Sequence, residues 1–255
     1  MTTLADRLEA LDASAARLAS MTNGLSPEQL DSQSYPKKWS VSDVLSHLGS
    51  GAVIMRRGLD AGVSGVPVED GFNQSVWDEW NAKSPAARAT DVVAADRALL
   101  DRLAELTDDE RATAKFSLGP FELDLTTFVG LRLNEHVLHT WDIEVVLDPS
   151  ATLPSDTGDV VIDNLGMIIG WAGKSDGNER EIAINTTAPA RSLVLKVGAE
   201  RMSLEPAADA AAAGAIEMPS EAFIRLIYGR LDPDHTPAGV GGSDVDQLRK
   251  MFPGF

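Results

Sequence analysis

Arg132–Glu144 reads RLNEHVLHTWDIE, a stretch without glycine or proline inside a longer apolar-periodic run from Leu123 to Leu147. The spacing predicts a helix. Phe128, Leu131, Leu138 and Val145 recur at steps of three and four, which places them on one face. Glu135, His139 and Asp142 complete that same stripe, where core-facing leucines would be expected. His136 is turned away from it and is expected to face solvent.

Glu135 and His139 are four residues apart, so their side chains stack on one helical face, the spacing that lets a helix offer two ligands to one ion. Asp142, about one turn on, can bond an imidazole nitrogen from behind. A third ligand must come from elsewhere, and the chain has 4 histidines. His235 lies in LDPDHTP, a proline- and aspartate-rich surface loop. His47 lies in WSVSDVLSHLGSGAVIM, where Val44, Leu48, Ile54 and Met55 put it on or beside the inward face of another helix. A His–His–Glu set leaves a position open on a divalent metal, as catalytic zinc sites do. Spacing alone leaves a second reading open, a buried histidine–carboxylate hydrogen-bond network without metal.

The 255 residues, 44% hydrophobic and 24% charged, suit a soluble globular protein of two modest domains. No segment approaches the roughly 18 to 20 apolar residues of a membrane span. The N-terminus, MTTLADRLEALDASAARLASM, is acidic and helically spaced rather than a secretory signal, so a cytoplasmic location is expected. With 39 acidic against 22 basic residues the net charge is −17, which argues against nucleic acid and anionic membrane as partners. Cysteine is absent. Disulfides, protein thiol nucleophiles and Cys-bearing zinc sites are therefore excluded, and any thiol chemistry needs a thiol from outside.

The first part of the chain reads as helices. Residues 3–22 are amphipathic. LSPEQL starts a short helix, with Ser26 as cap, Pro27 at the first helical position and Gln29 reaching back. WSVSDVLSHL starts a long one, with Ser40 capping and Asp43 three residues on, running to about Leu59. NQSVWDEWNAK and Pro85–Leu106 are further helices, SLGPFELDL is a loop, and TGDVVIDNLGMIIGWAG (157–173) is a buried fifth helix of the bundle. The period then changes. REIAINTT, RSLVLKVG, ERMSLEP and AGAIEMP are short alternating runs, followed by helices in SEAFIRLIYGRL, capped by Ser220, and DVDQLRKMF. The expected architecture is α+β: a helical bundle over residues 1–176 and a small domain with a mostly antiparallel sheet over 177–255. AADAAAAGA reads as a surface turn, and GVGGSD as a turn before the last helix rather than a phosphate-binding loop. Arg56 and Arg57 read as solvated, Arg132 is ambiguous, and Trp39 and Trp141 read as core.

The pair WSVSDVLSHL and RLNEHVLHTWDIE resembles the mycothiol-dependent maleylpyruvate isomerase family, part of the DinB-like metal-binding up-down four-helix bundles. EIAINTTAPARSLVLKVGAERMSLEP and FIRLIYGRLDPD resemble that family's C-terminal domain, related to the sterol-carrier-protein fold. The resemblance implies that His47, Glu135 and His139 hold a divalent metal, zinc, with Asp142 beside them. It also implies that Arg230 in YGRL meets an anionic substrate or thiol cofactor, and that the thiol is mycothiol. The sulfur would add to an activated C=C bond and then leave after rotation, or remain on the electrophile, so isomerase and S-transferase are both implied. One departure is visible: YPKKWS stands where family members often have Cys-Pro-Gly-Trp, which touches substrate contacts rather than the ligands. The competing expectation is a metal- or small-ligand-binding protein without turnover on the same scaffold.

Overall fold

A computed structural model describes residues 2–118, 121–207 and 214–254. By internal contacts the chain divides into two units, Thr2–Ala151 and Thr152–Phe255.

The first unit is built on four long helices: α1 (Leu4–Thr22), α3 (Val41–Ser64), α5 (Pro85–Ala104) and α7 (Leu125–Leu147). Helix α1 packs on α5 and α7, and α3 packs on the same two, so the four close a ring. Two short helices, α2 (Pro27–Asp31) and α4 (Phe72–Ala82), lie against α3, and α6 (Asp108–Thr113) follows α5. The starts are fixed locally. Ser26 with Gln29 and Ser40 with Asp43 form reciprocal capping boxes, satisfying amide groups that the first helical turn leaves without acceptors. Helix α3 outruns its expected end near Leu59 and stops at Ser64, where Gly65 takes the left-handed conformation (φ 72°). Leu18, Val44, Leu45, Leu48, Val92 and Ile143 are sealed between the helices.

Residues 117–125, expected as a loop, contain an antiparallel pair instead, β1 (Phe116–Leu118) and β2 (Phe121–Leu123). The pair is held by Phe116 and Leu123, both buried, and Phe116 stacks on Phe128 of α7 at 4.1 Å between centroids. Three-residue strands are too short to show alternation in sequence.

The second unit starts with α8 (Ser155–Val161), a 3-10 turn at Ile162–Asn164, and α9 (Leu165–Ala172). The single helix expected over 157–173 is thus divided. It also belongs with the sheet: α9 packs on β5 and α10, and buries Leu165, Ile168, Ile169 and Ala172. This moves the boundary from the expected 176/177 to 151/152. The sheet runs β5 (Met202–Pro206), β4 (Arg191–Val197), β3 (Arg180–Thr187), β6 (Ile216–Pro219), antiparallel except for β3 with β6. The α+β class and mostly antiparallel sheet are therefore observed.

Helix α10 (Ser220–Ile227) begins at Ser220 itself, whose hydroxyl donates to the Ala188 carbonyl rather than capping the helix. It ends before Gly229 (φ 70°), which passes so close to Gly254 that a Cβ there would meet its backbone nitrogen at 2.4 Å. Helix α11 (Ser243–Met251) follows the GVGGSD turn. Most of the AADAAAAGA stretch lies outside the described residues. No helix among the described residues is long and apolar enough to cross a membrane.

Candidate metal site

Helices α3 and α7 lie side by side, and this contact brings His47 to Glu135 and His139. His47 Nε2 is 3.2 Å from Glu135 Oε2, and His139 Nε2 is 3.5 Å from the same oxygen. One potential ligand atom from each residue lies within 4.8 Å of the other two. The imidazole centroids are 4.6 Å apart. A tetrahedral zinc at 2.0–2.1 Å from its ligands needs them about 3.3 Å apart, close to the two separations seen here.

Asp142 stands behind this group. Its Oδ2 accepts from His139 Nδ1 at 2.7 Å, which holds the ring with Nε2 directed at Glu135. Asp142 is fully buried, and its main-chain carbonyl accepts the Tyr35 N–H at 3.1 Å. The segment after α2 is thereby fastened to α7. That segment carries Trp39, whose indole lies 5.1 Å from the His47 ring and stacks on the His139 ring at 5.6 Å. Trp39 is half-buried and walls the site, whereas Trp141 is core as expected.

The site opens to solvent on the Glu135 side. That side chain is 48% exposed and His47 is 37% exposed, against 11% for His139. Crowding pushes the Glu135 carboxyl up, but hydrogen bonds and attraction from His139 and His47 outweigh this and hold it well below the usual carboxylate range. The carboxylate is thus anionic and ready to bind a cation.

His136, expected in solvent, is fully buried. Helix α7 has neighbours on several sides, so the face away from the stripe is also interior. Ser14 Oγ of α1 bonds its Nδ1 at 2.8 Å, and its Nε2 meets Asp96 Oδ2 of α5 at 3.0 Å. Asp96 Oδ1 accepts from Arg132 Nη2 at 2.7 Å, and Arg132 is buried as well. Burial pushes the Asp96 carboxyl up, yet His136 and Arg132 prevail and hold it below its ordinary value. The signal for Asp96 was available: it occupies the apolar stripe Val92, Asp96, Leu99, Leu103 of α5.

Arg230 belongs to the other unit. It is buried, donates from Nη1 to the Tyr228 carbonyl at 3.0 Å and lies 6.0 Å over the Tyr228 ring. His235 bonds Asp232 in its own loop. Arg57 pairs with Glu69 on the surface.

The fold and this cluster define a two-unit α+β protein whose helical unit presents a His–Glu–His constellation at a bundle surface. Residues 11–144 match the family described as the mycothiol maleylpyruvate isomerase N-terminal domain. The chain belongs to that family. Two solved structures share the fold, one of the mycothiol-dependent maleylpyruvate isomerase and one of a histidine-to-alanine mutant of it. Identities are 15% and 14%, the TM-score is 0.65 for each, and each match covers 90% of this chain and 90% of the other. No curated protein matches the chain by sequence.

Proposed function

We propose that this protein is a divalent-metal- and mycothiol-dependent enzyme that isomerises or S-conjugates a small electrophile, in the manner of a maleylpyruvate isomerase. The observation that carries the reading is the convergence of His47, Glu135 and His139, with Asp142 locking His139 in the ligating tautomer. The donor set suits zinc: two neutral imidazoles and one carboxylate, spaced for one ion, with solvent access left for an exogenous ligand. A metal held by His47, Glu135 and His139 would favour the thiolate form of a bound thiol near neutral pH, and mycothiol would supply the sulfur that the cysteine-free chain lacks.

The chain's own part is to hold and exclude. Glu135 keeps a negative charge at the mouth, Asp142 fixes the His139 ring, and Trp39 covers one side with an apolar surface against which an acceptor can lie. Arg230 is proposed to bind an anionic group of the thiol or the substrate, since a guanidinium matches a carboxylate in a two-pronged contact.

The test is full-length protein loaded with zinc, mixed with mycothiol and a panel of electrophiles bearing activated C=C bonds. Thiol consumption or cis–trans conversion above background, lost in His47→Ala, supports the reading. Silence across the panel, with tight ligand binding, points to a non-catalytic binding protein. A chain that takes up no metal after purification without an affinity tag overturns the reading at its base.

A further inference from the structure

Ser14, His136 and Asp96 bond in the order of a hydrolytic triad, and the possibility of a second active centre has to be met first. Ser14 is 3% exposed, His136 0% and Asp96 5%. A nucleophile must reach its substrate, and this serine is sealed between helices, so the array does no acyl transfer. Its connections point to a different task. Arg132 Nη2 donates both to Asp96 Oδ1 of α5 and to the main-chain carbonyl of Leu48 on α3, at 2.9 Å. Leu48 is the residue after His47. Arg132 and His136 are four apart, share a face of α7, and grip the two oxygens of one carboxylate. Glu135 lies between them, turned by about 100° from His136.

We propose that Arg132 is a positioning residue for the metal site: with Asp96 it fixes the rotation of α7 and the distance of α3 from it, and so sets the gap between His47 and the Glu135/His139 pair. The sequence makes room for this brace. Gly51 faces the guanidinium, where a Cβ would come 2.9 Å from Arg132 Nη1. The brace acts on both sides of the site at once, because one guanidinium ties the backbone beside one ligand to the helix that carries the other two. Ser14, at the far end of the array, only satisfies His136 and has no link to α3.

The inference rests on the metal reading above, and the experiment separates the two. Zinc affinity is measured by competition with a chromophoric chelator, and the d–d spectrum of the cobalt-loaded protein reports the ligand geometry. Four proteins are compared: the unaltered chain, Arg132→Met, Gly51→Ala and Ser14→Ala. Gly51→Ala leaves every charge in place and only displaces the guanidinium, so the question stays answerable if Arg132→Met does not fold. The expectation is zinc binding about tenfold weaker in the Arg132 and Gly51 variants, the scale of losses seen when groups supporting metal ligands are removed. Their cobalt spectrum should be altered, while Ser14→Ala matches the unaltered chain in both readouts. Unchanged affinity and spectrum in a folded Gly51→Ala or Arg132→Met overturns the positioning role alone. Failure of the unaltered chain to bind zinc or cobalt overturns it together with the proposed function.

Discussion

Helix α7 carries two clusters that each pair histidine with a carboxylate, and they differ in who completes them. Around His136 the protein supplies the partners itself: serine, histidine, aspartate and arginine bond one another out of solvent, although Arg132 Nε has no acceptor among the described residues. Around His139 the residues stop short, with two imidazoles and a carboxylate gathered at an open edge. Residue type does not separate a functional site from a structural one; satisfaction and access do. The closed network turns its charged groups on one another, whereas the open one leaves two imidazoles and a carboxylate within reach of solvent.

The widest separation should come from deleting one member of each cluster in metal-free protein. Asp96→Ala leaves Arg132 and His136 buried without their carboxylate and should cost about 3–5 kcal/mol in denaturant unfolding. His47→Ala, at the open edge, should change stability by only about 0.5 kcal/mol. Equal losses would erase the contrast. Next, zinc at a hundredfold excess over its dissociation constant should stabilise the unaltered chain by about 2.7 kcal/mol. A chelator should reverse this, His139→Ala should abolish it, and Asp96→Asn, if folded, should still show a gain.

Asp142→Asn sharpens the comparison, because Asp142 is buried like the closed cluster yet serves the open one. Zinc affinity should fall about 10- to 100-fold, measured by chelator competition. The pH dependence isolates Asp96. Its folded-state pKa is depressed, so the stability it contributes is fully present above the ordinary carboxylate pKa of about 3.9 and is lost as pH falls through the lower folded value. Urea midpoints of metal-free protein should therefore show an Asp96-dependent decline only on the acid side of about pH 4, absent in Asp96→Asn. Within the closed cluster the smallest effect belongs to Ser14→Ala, about 1 kcal/mol for one neutral hydrogen bond.

Much of this was legible in the chain. Capping pairs marked the starts of α2 and α3, and three- and four-residue steps marked α7. The candidate ligands stand out because ionisable groups replace leucines on an apolar face, and the structure brings His47, Glu135 and His139 together. What escaped is instructive. The stripe alone points His136 to solvent, whereas a helix with neighbours on several sides buries more than one face. Glu135, on the stripe, is the more exposed of the two. The β1–β2 pair is set by aromatic packing on Phe128 rather than by alternation, and the domain boundary by where α9 finds its partner. Both depend on contacts distant in sequence, which periodicity does not encode.

The placement of Trp39 has an optical consequence. Its indole lies within 5.6 Å of both ligand imidazoles, and its segment is tied to α7 through the Tyr35 amide. The protein thus carries a fluorescent gauge in the wall of its own site, one whose emission should change when an ion is loaded. Trp39→Phe should blind that gauge while Trp77, Trp80, Trp141 and Trp171 go on glowing unchanged.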